Sequence, residues 1–235
     1  MFVITGISGG IGQQVARQLK LQHPNSRIIG IYNQNCPDME GVAECFQYNF
    51  EDPNGCSIDH YPLFQSILDT DQPINIIHLA GVTVNKTISH VKKDDLDKCF
   101  TVNCTSILGM ISSLWPKMKA DNFGRIILVS SVVPHRPAIG TLGYSISKAA
   151  LEAAVRVLFT EGSKYNILPF GIALGYTDYG IIQQVPSEMQ ENLKESIPLH
   201  RFGNIYEIMN TINFLLDTPY IAGQIIHLNG GLYLA

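Results

Sequence analysis

Charge is scarce in this 235-residue sequence. Only 15% of the residues are Asp, Glu, Lys or Arg, the net charge is −4, and no block of like sign occurs. That balance argues against nucleic acid and against an anionic membrane as partners. Long apolar runs are missing too: none approaches the ~18 residues needed to span a bilayer. The opening Met1-Phe2-Val3-Ile4-Thr5 has no basic segment ahead of it and runs straight into Gly6, unlike a secretory signal. Cysteine is sparse and odd in number (Cys36, Cys45, Cys56, Cys99, Cys104), with no Cys-x-x-Cys pair. Such usage fits reduced thiols in a cytoplasmic protein rather than a disulfide framework. The seven histidines show no metal-ligand spacing, so no metal site is expected. His78 and His227 lie inside apolar runs and read as core groups with satisfied ring nitrogens.

What is plentiful is hydrophobic residue, 46% of the chain, enough for a sizeable core in one domain spanning 1–235. Phe2-Val3-Ile4 reads as a buried strand, followed at once by Thr5-Gly6-Ile7-Ser8-Gly9-Gly10-Ile11-Gly12 and a helical pattern through Leu21. Strand, glycine-rich turn and helix in that order suit a dinucleotide pyrophosphate. Glycines let the backbone approach the phosphates, and a helix N-terminus offers free N–H groups. A tight turn would ask for the same glycines, so the signal rests on its place at the first strand-to-helix junction. Further strands are expected at 27–32, 42–50, 74–79, 125–129, 170–174 and 224–228. Helices are expected at about 61–68, 93–118, 145–162, 187–195 and 205–216. This alternation predicts an α/β fold, a doubly wound parallel sheet of about seven strands with helices on both faces. Residues 176–200, with Pro186 and Pro198, fall where a lid over a substrate would lie.

Tyr32-Asn33-Gln34-Asn35 ends the second strand with no carboxylate to bond a ribose 2′-hydroxyl, so NADP(H) is favoured over NAD(H), although no cation waits for a 2′-phosphate. Ala80-Gly81 closes the fourth strand with small residues that permit close ligand approach. Asn103 is an amide inside an apolar helix and needs partners, structural or functional. The densest chemistry lies between Ser130 and Lys148. If Tyr144 opens a helix, Lys148 lies one turn on, on the same face. An ammonium beside a phenol would draw its pKa of ~10 toward neutrality and make it a proton donor and acceptor. Ser131, at a strand end, can bond the same substrate oxygen. By chance a chain with 10 Tyr and 10 Lys holds about 0.4 Tyr-x-x-x-Lys pairs, so the pair gains weight only from its surroundings.

With those residues assembled, the chain resembles a classical short-chain dehydrogenase/reductase from Phe2 to its end. Thr5 to Gly12 match the family's T-G-x-x-x-G-x-G, and Asn103, Ser131, Tyr144 and Lys148 fall on its catalytic tetrad with the usual 13-residue step from Ser131 to Tyr144. Ile197 to Gly203 and Ile221 to Gly231 are similar to segments of the 3-oxoacyl-(acyl-carrier-protein) reductases, and Asn49-Phe50 match the pair that flanks the adenine. The resemblance implies a Rossmann-type fold and a cofactor held by Gly6, Ser8, Gly9, Gly10, Ile11, Gly12, Asn33, Asn49, Phe50, Ala80, Gly81, Tyr144, Lys148, Gly175 and Thr177. It implies Tyr144 as general acid, Ser131 as carbonyl orienter, Lys148 on the nicotinamide ribose, and Asn103 holding a relay water. It further implies reduction of a 3-oxoacyl thioester, carried on acyl carrier protein or on coenzyme A, in a tetramer or dimer; the small face Ala149, Ala150, Ala153 and Ala154 would pack either against a partner subunit or against the chain's own sheet. The chain departs from the family at His78-Leu79, where two asparagines are usual, at Leu174, and at Gly9, where NADP-preferring members often carry a basic residue. The alternatives are an NAD(P)-dependent alcohol or polyol dehydrogenase and a non-catalytic cofactor sensor.

Overall fold

A computed structural model describes residues 1–51 and 62–234. The strands are β1 (Phe2–Thr5), β2 (Ile28–Tyr32), β3 (Glu44–Gln47), β4 (Asn75–His78), β5 (Gly124–Ser131), β6 (Ile167–Leu174) and β7 (Ile225–Leu228). They form one parallel sheet in the order β3-β2-β1-β4-β5-β6-β7. The chain starts in the middle, winds outward to β3, then returns to build the other half from β4. That reversal places a crevice beyond the carboxyl ends of β1 and β4, where ligands settle in such sheets.

Helices cover both faces, so the central strands are apolar on both sides. Val3 and Ile76 face α2 (Pro62–Leu68), α4 (Ser106–Ala120) and α5 (Leu142–Gly162), meeting Phe64, Ile107, Met110, Leu151 and Val155. Ile4 and Ile77 point the other way, to α1 (Gly10–Gln22) and α7 (Ile205–Asp217), meeting Val15, Leu19, Ile208 and Ile212. A third cluster joins Val132 to Ile182, Ile197 and Phe202 of the 176–203 segment and to Leu232. This segment, which contains α6 (Ser187–Glu195), is thereby docked over the end of β5. No described helix is long and apolar enough to cross a membrane.

Several expectations shift. The third strand, expected over 42–50, is confined to Glu44–Gln47, because its β2 partner offers only Ile29–Tyr32 and Val42 and Ala43 turn back on the Met39 carbonyl. The sixth strand is longer than 170–174 and begins at Ile167, upstream of Pro169. The Gly171 N–H faces β7, so the N–H that Pro169 lacks would point the same way, and β7 has not yet begun at that height. The helix expected over 93–118 is broken into α3 (Lys93–Phe100) and α4 by a π turn, Thr101–Thr105. His227 is not satisfied: its buried Nδ1 has no hydrogen-bond partner. Cys56 lies outside the described residues, and the four described cysteines are free thiols.

Candidate active site

Gly6 follows β1 at φ +74°, and a Cβ there would sit 2.6 Å from the Ala80 nitrogen. Only glycine lets the first turn lie against the end of β4. Gly12 is held equally close: a Cβ would come within 2.3 Å of the Gly6 carbonyl. The turn delivers Gly9 to the N-terminus of α1, where no side chain caps the helix and its first amides are free for an anion. Between this turn and the ends of β2 and β4 lies a cavity of about 220 Å³. Gly6, Ser8, Gly9, Asn33, Phe50, Ala80 and Gly81 line it, with Tyr32, Tyr48, Glu51, Val82 and Val102. Glycines at close-approach points, uncapped amides and aromatic rings at the far end fit a dinucleotide. A larger hollow, about 500 Å³, opens at the opposite end of the sheet around Met1, His23 and Gln72, away from these groups. Among the described residues no set of three or more His, Cys, Asp or Glu could hold a metal ion.

Gly81 joins the cavity to the polar cluster beside it, since a Cβ there would lie 3.4 Å from both Asn103 Oδ1 and Lys148 Nζ. Ser131 ends β5, and Tyr144 and Lys148 occupy the first two turns of α5. Ser131 Oγ accepts from the Val133 amide at 3.2 Å, and its hydrogen bond with the Tyr144 phenol favours the phenolate. Lys148 is buried, its Nζ 5.9 Å from the centre of the Tyr144 ring and donating to the Val129 carbonyl at 2.8 Å. An ammonium has three donors, so two remain. Asn103 is fully buried in the π turn. Its Oδ1 accepts from the Val82 amide at 2.7 Å, and its Nδ2 donates to the Val82 carbonyl and to Ser147 Oγ, each at 2.9 Å.

The electrostatics differ from the sequence expectation at one point. Burial raises the Tyr144 pKa, and the hydrogen bond to Ser131 only opposes it. Lys148 makes no hydrogen bond to the phenol in this geometry; its ammonium donates instead to the Val129 carbonyl. Burial drives Lys148 itself from 10.5 down to about 8. The Asn103 amide is committed to Val82 and Ser147, and its main-chain oxygen lies 3.2 Å from His78 Nε2, which leaves that oxygen one lone pair able to take a water.

The family model described as Enoyl-(Acyl carrier protein) reductase matches residues 59–233. The chain belongs to the short-chain dehydrogenase/reductase family. It is 28% identical to the 3-oxoacyl-(acyl-carrier-protein) reductase FabG of Pseudomonas aeruginosa, over 99% of this chain and 97% of that one. The FabG of Aquifex aeolicus is 27% identical, covering 98% and 96%, and Nodulation protein G of a Rhizobium species is 27% identical, covering 98% and 95%. A crystal structure from Agrobacterium tumefaciens, of a protein with a provisional gluconate dehydrogenase name, superposes with a TM-score of 0.85 at 21% identity, over 99% of this chain and 95% of that one. As a short-chain dehydrogenase/reductase, the protein is an NAD(P)-dependent oxidoreductase.

Within this dehydrogenase/reductase, the structure gathers Asn103, Ser131, Tyr144 and Lys148 at the carboxyl ends of β4 and β5. Of the residues expected around the cofactor, Gly10, Ile11, Gly12, Asn49, Tyr144, Lys148, Gly175 and Thr177 do not line the 220 Å³ cavity. Asn49 turns its Oδ1 onto the Glu51 amide, and Thr177 donates to the Tyr179 carbonyl in the segment that follows β6. Sequence reasoning missed Tyr48, Glu51 and Val82, which flank recognised motifs and carry no pattern of their own. It also missed Ser147, whose hydroxyl donates to the Tyr144 carbonyl at 2.8 Å.

Proposed function

We propose that the protein reduces a ketone to a secondary alcohol, that the substrate is a 3-oxoacyl thioester of the acyl-carrier-protein type, and that NADPH is the reductant. The observation that carries this reading is the continuity, at Gly81, between the glycine-lined cavity and the Ser131–Tyr144–Lys148 cluster. A bound dihydronicotinamide would supply hydride to the carbonyl carbon. Ser131 would hold the carbonyl oxygen and stabilise its developing charge. Tyr144 would give that oxygen its hydroxyl proton, leaving the alcohol and a phenolate. The two free donors of Lys148 would hold the nicotinamide ribose and steady the phenolate. The FabG relatives, at 27–28% identity over nearly the whole chain, support the thioester as substrate.

NADPH is favoured by Asn33, an amide where a carboxylate would repel a 2′-phosphate. One observation supports the second reading, an NAD(H)-linked alcohol or polyol dehydrogenase: among the described residues no Lys or Arg lines the cavity, and Glu51 is the one charged residue that does. The outward stripe of α5, with Ile146 and Val157 at 37% and 56% exposure and Ala149 and Ala153 between them, supports a homo-oligomer. The low, unclustered charge supports a reading without nucleic acid or membrane as partner, and the free thiols of the four described cysteines support the cytoplasm.

The test is oxidation of NADPH followed with a short β-ketoacyl thioester, beside a simple polyol and NAD. Thioester-dependent oxidation that disappears in Tyr144→Phe is expected. An unchanged rate in that variant removes the proposed role, and polyol turnover with NAD alone selects the second reading.

A further inference from the structure

His78 ends β4 fully buried, and both of its ring nitrogens are engaged. Nδ1 lies 2.7 Å from Thr5 Oγ1, and Nε2 lies 3.2 Å from the main-chain oxygen of Asn103. The surroundings settle which nitrogen carries the proton. The Ala80 amide already donates to Thr5 Oγ1 at 3.3 Å, which leaves the Thr5 hydroxyl proton for Nδ1. The other tautomer would set an unprotonated Nε2 against the lone pairs of a carbonyl. A doubly protonated ring is opposed by burial and by the Lys148 charge, which together lower the His78 pKa to about 3. The ring is therefore a neutral, one-way connector that accepts from the glycine turn and donates to the π turn.

The chain of bonds continues past Asn103. Its amide donates to Ser147 Oγ, and Ser147 Oγ donates to the Tyr144 carbonyl. The loop 79–82 is clamped from both ends, at Ala80 by Thr5 and at Val82 by Asn103. Hydrogen bonds thus run from the mouth of the cofactor cradle to the first turn of α5, and every donor along them has one direction. Fixed orientation of this kind raises the effect of each bond in a dry interior. A π turn frees backbone groups that an α-helix would use, and His78 takes up the Asn103 carbonyl there.

We infer that His78 is a positioning residue, locking the turn that carries Asn103 to the glycine turn of the cofactor cradle so that cofactor seating and the Tyr144 proton donor hold one geometry. It touches neither substrate nor cofactor. The inference rests on the reductase reading only for its kinetic readout; the bonding pattern and cofactor affinity are measurable without turnover.

Two substitutions separate the halves of the connector. Gln places its amide nitrogen near Nε2 and keeps the donor to Asn103, whereas Phe fills the space and removes both bonds. In His78→Phe, NADPH affinity measured by fluorescence, in a Tyr144→Phe background so that no turnover intervenes, should fall by about tenfold, and kcat in the parent background by up to ~100-fold from misplacement. His78→Gln should recover most of kcat. Nitrogen-15 correlation spectra of the unmutated protein should show the Nε2–H tautomer, persisting to pH 5. An Nδ1–H tautomer, or a folded His78→Phe that keeps both affinity and kcat, would overturn the inference. So would His78→Gln behaving no better than His78→Phe. Should His78→Phe fail to fold, the tautomer and the Gln variant decide. Should the protein reduce no thioester, the reductase reading falls, while the affinity loss and the tautomer still judge this one.

Discussion

Lys148 Nζ donates to the carbonyl of Val129, on the strand that ends in Ser131, and not to the phenol of Tyr144 four residues before it on the helix. The pair so legible in sequence is thus two groups separately anchored, the phenol to Ser131 and the ammonium to the strand. Whatever brings them to act jointly must use the two donors that Lys148 has left.

The lowered Lys148 pKa gives a first expectation. Its ammonium is lost as pH rises through about 8. kcat/KM for ketone reduction, which reports the free enzyme, should show an alkaline limb near that value. A profile flat to pH 10 contradicts a cationic role for Lys148.

The same burial makes Lys148 costly to the fold. Between pH 8 and 10.5 the unfolded chain holds this proton and the folded protein does not, so stability rises with pH there, and below pH 8 the cost is present in full. Lys148→Met should therefore abolish turnover yet raise the unfolding free energy at pH 7 by on the order of 2 kcal/mol, with no gain at pH 11. Urea titrations at the two pH values measure this directly.

His78 gives a titration of similar sign in a lower window. Its folded pKa, about 3, lies below the ordinary 6.5, so as pH falls through that range only the unfolded chain takes up the proton. Stability that is intact above pH 6.5 should drain away toward pH 3. The drop in urea midpoint from pH 7 to 4.5 should be larger in the parent than in His78→Asn. Equal drops would show that His78 does not stay neutral.

Glu152 supports the loop between Ser131 and Tyr144. Its buried carboxylate accepts from Ser130 Oγ at 2.7 Å, and both its oxygens lie 3.0 Å from His135 Nε2. Tyr233 stacks on His135, with ring centres 4.7 Å apart. Glu152→Ala should cost about 2 kcal/mol of stability, since it takes a hydrogen-bond acceptor from the buried Ser130 hydroxyl and from His135, and Glu152→Gln should cost less. Thermal denaturation of the two variants side by side checks the order.

Gly6→Ala should abolish NAD(P)H binding while the sheet stays folded. The added Cβ meets the Ala80 backbone at 2.6 Å on a residue held at φ +74°, so the cradle, not the core, must open. Retained affinity by fluorescence titration would contradict this.

Most of the fold could be read from the chain because its strands are short apolar runs separated by helical periodicity, and Gly6 to Gly12 sit at the first junction. The bounds of β3 and β6 were harder. Around β3 the pattern from Val42 to Phe50 is apolar enough for a long strand, and the short reach of β2 together with the turn of Val42 and Ala43 onto Met39 trims it. Pro169 hid the start of β6, because the sequence alone does not say that β7 begins two residues later. In the site, Ser131, Tyr144 and Lys148 carry recognisable spacing. The commitments of Asn103 to Val82 and Ser147, and of His78 to Thr5, join residues 21 to 73 positions apart and leave no periodic trace. The raised pKa of Tyr144 follows from burial, which spacing does not report.

The π turn at Thr101–Thr105 amounts to one surplus residue wound into a long rod. Excising a single residue there would restore regular winding and leave the helix faces on either side in phase, because the wide turn alone absorbs the surplus. Ile107, Met110 and Leu114 would stay under the sheet, while Asn103 would lose the wide turn that aims its amide at Val82. A relative that lacks the surplus residue keeps the core face of this rod but gives up the inward-facing amide.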